Sequence, residues 1–100
     1  MPDSAAIGND LAYSLATSSD ASIRDPGRAV ILARKICENQ LNANYLDTLS
    51  TALSAAGDIP AAVEALTRAI EQARIANAGD AAIAEMESRL SQLKSTLPKS

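Results

Sequence analysis

Apolar and polar positions along these 100 residues fall into five blocks of helical spacing, separated by short polar breaks. In the first block Ile7, Leu11 and Leu15 recur four apart and Ala12 and Ala16 widen the stripe. That spacing predicts a helix starting at Ser4 or Asn9 and ending at Thr17 or Ser18, with Gly8 weakening its first turn. The run Ser18-Ser19-Asp20-Ala21-Ser22 reads as a loop. In the second block Asp25 is placed as N-cap and Pro26 at the first helical position, where a missing N–H costs nothing. Ala29, Val30, Ala33, Ile36 and Cys37 form its inner stripe, and Asn39-Gln40 its polar exit. The third block, over 43–56, carries Leu46, Leu49, Ala52, Leu53 and Ala56, with Gly57 following as the helix-terminating residue. The fourth is capped by Asp58, has Pro60 in its first turn, and turns Ala62, Val63, Leu66, Ala69, Ile70 and Ala73 inward. Asn77-Ala78-Gly79 ends it. The fifth is expected to be capped by Asp80 and stopped by Pro98. Its stripe, Ile83, Met86, Leu90, Leu93 and Leu97, is backed by a polar face of Glu85, Ser88, Gln92 and Ser95, as suits the last helix of a stack.

The blocks repeat. Ala29-Val30-Ile31-Leu32-Ala33-Arg34-Lys35-Ile36-Cys37-Glu38 aligns with Ala62-Val63-Glu64-Ala65-Leu66-Thr67-Arg68-Ala69-Ile70-Glu71 at an offset of 33, and Leu15-Ala16-Thr17 with Leu49-Ser50-Thr51 at 34. A period near 34 with two helices per period marks a stack of helical hairpins. The prediction is one all-α domain over 1–100: a first repeat at about 9–42, a second at about 43–76, and a capping helix at about 80–97.

Composition sharpens this picture. Apolar residues make up 47% of the chain, yet phenylalanine and tryptophan are absent and Tyr13 and Tyr45 are the only aromatics. A core built on alanine and leucine requires helices that approach closely, and no stretch shows the alternation of a strand. A net charge of −3 with scattered Lys and Arg argues against a nucleic-acid partner. No apolar run nears the ~18 residues that suggest a membrane span. The acidic start Met1-Pro2-Asp3-Ser4 lacks the pattern of a secretory signal. A complete chain of this kind is expected to be soluble and cytoplasmic; a piece of a longer protein carries no such implication.

Candidate chemistry is sparse. One cysteine and no histidine leave no internal disulfide and no Cys/His zinc site, so no metal and no cofactor is expected. Cys37 lies on an inner stripe without a histidine to activate it and is expected to be structural. Glu64 and Glu71 share a helix face with Arg68, the spacing of a solvated surface, and Glu85 and Glu87 form no better acid/base pair. The four glycines are isolated, so no phosphate loop is present. No catalytic residue is nominated, and the chain is not expected to be an enzyme.

Residues 43–76 resemble a tetratricopeptide repeat (TPR), with Leu46, Leu49, Ser50 and Leu53 in the first helix, the Gly57-Asp58 turn, and Ala62, Leu66 and Ala69 in the second. Leucines stand where the family prefers aromatics, and Arg74 falls near the end in place of its closing proline. Residues 9–42 resemble the repeat more distantly through Ala12, Leu15, Ala16, Ala29, Ala33 and Ile36. The run Leu11-Ala12-Tyr13-Ser14-Leu15-Ala16-Thr17 with the later Leu46-Asp47-Thr48-Leu49 is similar to TPR segments near the ends of larger bacterial proteins. The resemblance implies a right-handed stack of antiparallel helical hairpins, a TPR-like α-solenoid of five helices. It also implies a protein–protein interaction module that receives a peptide or partner helix in a concave groove lined by the first helix of each repeat. On this chain the implied groove residues are Asp10, Tyr13, Ser14 and Thr17, then Asn44, Asp47, Thr48 and Thr51, with Ser54 and Ala55 at the edge. None is basic, so the family's carboxylate-gripping clamp is absent and a partner bearing Lys or Arg is favoured. Tyr13 either anchors a ligand or packs on a neighbouring helix; Tyr45 is expected to fill the junction between repeats. The alternative is a structural role. Leu90, Leu93 and Leu97 would form a seam for a homodimer or for docking to a larger protein, because a stack is stable alone only from about three repeats.

Overall fold

The structure, a computed structural model, describes residues 4–97. Five α-helices occupy that span: α1 (Ser4–Thr17), α2 (Pro26–Asn39), α3 (Ala43–Ala55), α4 (Ile59–Ile75) and α5 (Asp80–Ser95). No strand occurs among the described residues. Pro98, the expected stop of the last helix, lies outside them.

Helix ends follow the local chemistry. Asp25 Oδ1 accepts from the Arg28 N–H at 3.1 Å, Asn42 Oδ1 from the Tyr45 N–H at 2.9 Å, and Asp58 Oδ1 from the Ala61 N–H at 3.3 Å. Each side chain thereby satisfies one of the orphan donors of its helix. α3 ends where Gly57 takes the left-handed conformation (φ +89°), and α4 ends the same way at Asn77 (φ 58°). α5 differs from expectation: its N-cap is Gly79, in extended geometry, and no side chain caps it. Asp80 is the first helical residue instead, where its charge still favours the helix dipole. These roles predict unequal losses. Asp25→Ala should cost about 1 kcal/mol in urea unfolding, whereas Asp80→Ala should cost only about 0.3–0.5 kcal/mol. Equal losses would contradict the assignment of Gly79 as the cap.

Consecutive helices pack against each other, and α1 also packs on α3. This order is compatible with a stack of helical hairpins. Leu46 and Leu66 are the largest fully buried side chains, and Ala12, Ala29, Ala52, Ala62 and Ala69 are buried around them. At Gly8 a Cβ would stand 3.0 Å from Ile36 Cδ1, so a larger residue there would press on the tip of that side chain. Tyr45 is buried, as expected for a residue filling a junction.

The stripes predicted from spacing need four corrections. Ile7 and Leu11 are exposed (57% and 48%), because α1 is covered by α2 and α3 on one side only; its buried face is Asn9, Ala12, Leu15 and Ala16. Ala56 is exposed beyond the end of α3. Ile36 and Val63 are half-buried, and Ala65 is buried in place of Val63. α5 has no fully buried residue: Met86, Leu90 and Leu93 are partly buried against the core, and Leu97 lies past the helix end at Ser95.

The two hairpins close alike. The Asp25 N–H donates to the Leu15 carbonyl at 2.8 Å, and the Asp58 N–H to the Leu53 carbonyl at 2.9 Å. This bond equates Leu15 with Leu53, 38 residues on. The second helices keep their offset of 33, so the longer first connector shifts the first helices by about one helical turn beyond the 34 read from the sequence.

Candidate functional site: a polar groove across α1, α3 and α5

Each first helix of a hairpin leaves one polar strip facing away from its partner helix. The strips of α1 and α3 lie side by side because these helices pack together, and α5 closes the third wall. They enclose a concave space of about 500 Å³. Of the residues expected there, Asp10, Tyr13, Ser14, Asn44, Asp47, Thr48 and Thr51 line it. Thr17 does not; its hydroxyl donates to the Tyr13 carbonyl at 2.8 Å, one turn back along α1. Tyr13 is half exposed in the wall of the groove, so its ring is not a core element.

Two residues of the floor stand out. Asn9 and Thr48 are over nine-tenths buried (7% and 5% exposed), and both line the groove. Among the described residues, neither side chain has a hydrogen-bond partner. Their polar atoms are not sealed from solvent, so the groove offers an unengaged amide and hydroxyl. The neighbouring Thr51 hydroxyl is satisfied, donating to the Asp47 carbonyl at 3.1 Å.

Asn9 and α5 are what the sequence reading missed. Asn9 shares the 9-12-16 face of α1, a spacing that places it beside the apolar stripe. From α5 come Glu85 and Arg89. Arg89 donates from Nη1 and Nη2 to the two carboxylate oxygens of Asp47, at 2.7 and 2.8 Å. Those hydrogen bonds hold the guanidinium above its ordinary pKa, against the opposing effect of burial. The groove is therefore not devoid of base, as the first-helix strips alone implied. The available signal was the four-residue spacing of Glu85 and Arg89 on one face of the last helix.

The remaining candidates fall elsewhere. Glu64 and Glu71 are exposed, and Glu87 pairs with Arg74 at 3.2 Å on the surface. Cys37 is buried beside Leu49 and Arg68; burial pushes its thiol up, and the Arg68 charge partly opposes that. Leu90 and Leu93 rest partly on the core, which leaves the proposed seam half-covered. Among the described residues no cluster of three or more His, Cys, Asp or Glu side chains could hold a metal ion, and no helix is long and apolar enough to cross a membrane.

Comparison with known proteins returned nothing: no family model, no curated protein and no solved structure matches this chain.

Proposed function

We propose that this chain is a protein–protein interaction module that holds a peptide segment or partner helix in the groove of α1, α3 and α5. The observation that carries the reading is the pair of floor residues Asn9 and Thr48, which line the groove and whose side chains make no hydrogen bond among the described residues. An amide and a hydroxyl can together meet the N–H and C=O groups of a peptide backbone. The resemblance of 43–76 to a TPR supports the same use of this surface.

The test is chemical-shift mapping of the full chain against capped heptapeptides, one each of basic, acidic, neutral polar and apolar composition. Shifts concentrated at Asn9, Asp47, Thr48 and Arg89, and reduced at least threefold in affinity by Thr48→Val, are the expected result; about 0.7 kcal/mol suffices for that change. Shifts scattered over the surface, or none at millimolar peptide, would defeat the proposal.

A second reading, self-association or docking through α5, draws on the absence of any fully buried residue in that helix. Light scattering over a concentration series separates the two. A dimer abolished by Leu90→Glu, with helicity kept, supports the seam; a constant monomer mass supports the groove.

A further inference from the structure

Asp47 already holds a guanidinium. The forked contact with Arg89 is the geometry in which any arginine meets a carboxylate. Yet the place is incompletely furnished for Arg89. Its Nε is shut off from solvent without a hydrogen-bond partner among the described residues. Glu85 Oε1 stands 3.9 Å from it, within charge range and beyond hydrogen-bonding distance. Nor does the bridge seal a core, since among the described helices α5 packs backbone-close on α4 alone.

The Arg89–Asp47 bridge instead crosses an open gap between α3 and α5 and divides it. On one side is the polar groove. On the other is a smaller hollow of about 240 Å³, floored by Leu66 and Leu93, with Ser50 and Ser54 on its α3 wall. Arg89 and Thr51 belong to both walls.

We infer that Arg89 is a resident competitor for a basic-residue subsite, and that the ligand is an extended peptide carrying an arginine or lysine and, two positions away, an apolar side chain. This rests on the groove reading above. Asp10, Asp47 and Glu85 line the polar side with Arg89 as its one cation among the lining residues, so displacing Arg89 leaves three carboxylates for a ligand cation to answer. The apolar side chain enters the hollow over Leu66 and Leu93. The spacing follows from the helix. The two hollows are offset by about four residues along α3, or about 6 Å, which matches the ~6.6 Å between alternate side chains of an extended chain. Thr51, which belongs to both walls, then lies beside the peptide backbone between them, and Asn9 and Thr48 meet the backbone on the polar side.

The experiment titrates the full chain with the capped peptide Gly-Ser-Arg-Ser-Leu-Ser-Gly, with the same peptide carrying citrulline for arginine, and with alanine for leucine. Citrulline keeps the shape and removes the charge; it should weaken binding roughly tenfold, and alanine roughly threefold. Arg89→Gln should tighten binding of the parent peptide roughly threefold, because a competitor is gone. A strut with a structural role alone would give the opposite, weaker binding as α5 loosens. Circular dichroism checks that the variant keeps its helicity; if it does not, the citrulline comparison on the unaltered chain decides. Equal affinity for the arginine and citrulline peptides, or weaker binding by a fully helical Arg89→Gln variant, would overturn the inference. If peptides map to the groove without preferring this pattern, the inference falls and the groove reading stands; if no peptide of any composition binds, both fall.

Discussion

Leu46→Ala is expected to remove about 3 kcal/mol of stability, lowering the melting temperature by roughly 12–20 °C for a domain of this size. Leu46 sits on α3, the helix that packs against α1, α2 and α4, and is 0% exposed. Half of the buried apolar residues around it are alanines, which have no side-chain length with which to close a cavity. The loss therefore combines the transfer free energy of three methylene-sized groups with a cavity that persists. Small domains have only about 5–15 kcal/mol to begin with. The measurement is urea unfolding followed by circular dichroism, in which the midpoint falls and the slope stays constant. A loss under about 1 kcal/mol would mean that α1 and α4 collapse inward and that the core is not held rigidly by its small residues.

Most of this core is legible in the spacing of apolar residues, because the buried residues fall on the helical stripes. Periodicity reports that a helix has an apolar stripe, and on α2, α3 and α4 most of the stripe became the buried face, Ile36, Ala56 and Val63 excepted, because each of these helices has neighbours on both sides. On α1 the same signal misplaced Ile7 and Leu11. Hydrophobic spacing carries no information about whether a neighbour exists beyond the first helix. At the junction of α4 and α5, cap preference by residue type picked Asp80 over Gly79. Backbone geometry decided otherwise, since Gly79 is extended and already bonds the Ile83 N–H through its carbonyl. The groove was legible on α1 and α3, where polar positions opposite a buried stripe have one place to go. Its third wall was not. Glu85 and Arg89 read as an ordinary solvated pair, and only the placement of α5 brings Arg89 42 residues back along the chain to Asp47. Thr17, the last residue of α1, falls beyond the end of the groove.

Ala62→Leu is expected to be nearly as damaging as Leu46→Ala, about 3 kcal/mol, although it adds apolar surface. Ala62 is fully buried where α4 crosses α3, and its carbonyl accepts a hydrogen bond from the Ser50 hydroxyl at 2.8 Å. That bond is possible because two small residues face each other across the crossing. Three added carbons have no vacant volume to enter, so either the leucine adopts a strained rotamer or α3 and α4 separate. Separation would break the Ser50 bond and tilt α3, the helix that carries Asp47, Thr48 and Thr51 to the groove. Ala84→Leu, on the exposed face of α5, serves as the control and should change stability by less than about 0.5 kcal/mol. The informative comparison is with Ser50→Ala, which removes the hydrogen bond and leaves the spacing intact, at a cost of about 1 kcal/mol. If Ala62→Leu costs no more than Ser50→Ala, the bond and not the close approach holds the crossing. If it costs markedly more and also weakens peptide binding at the groove, then the alanine-rich core and the polar groove are two faces of one requirement, that α3 be held close against α4.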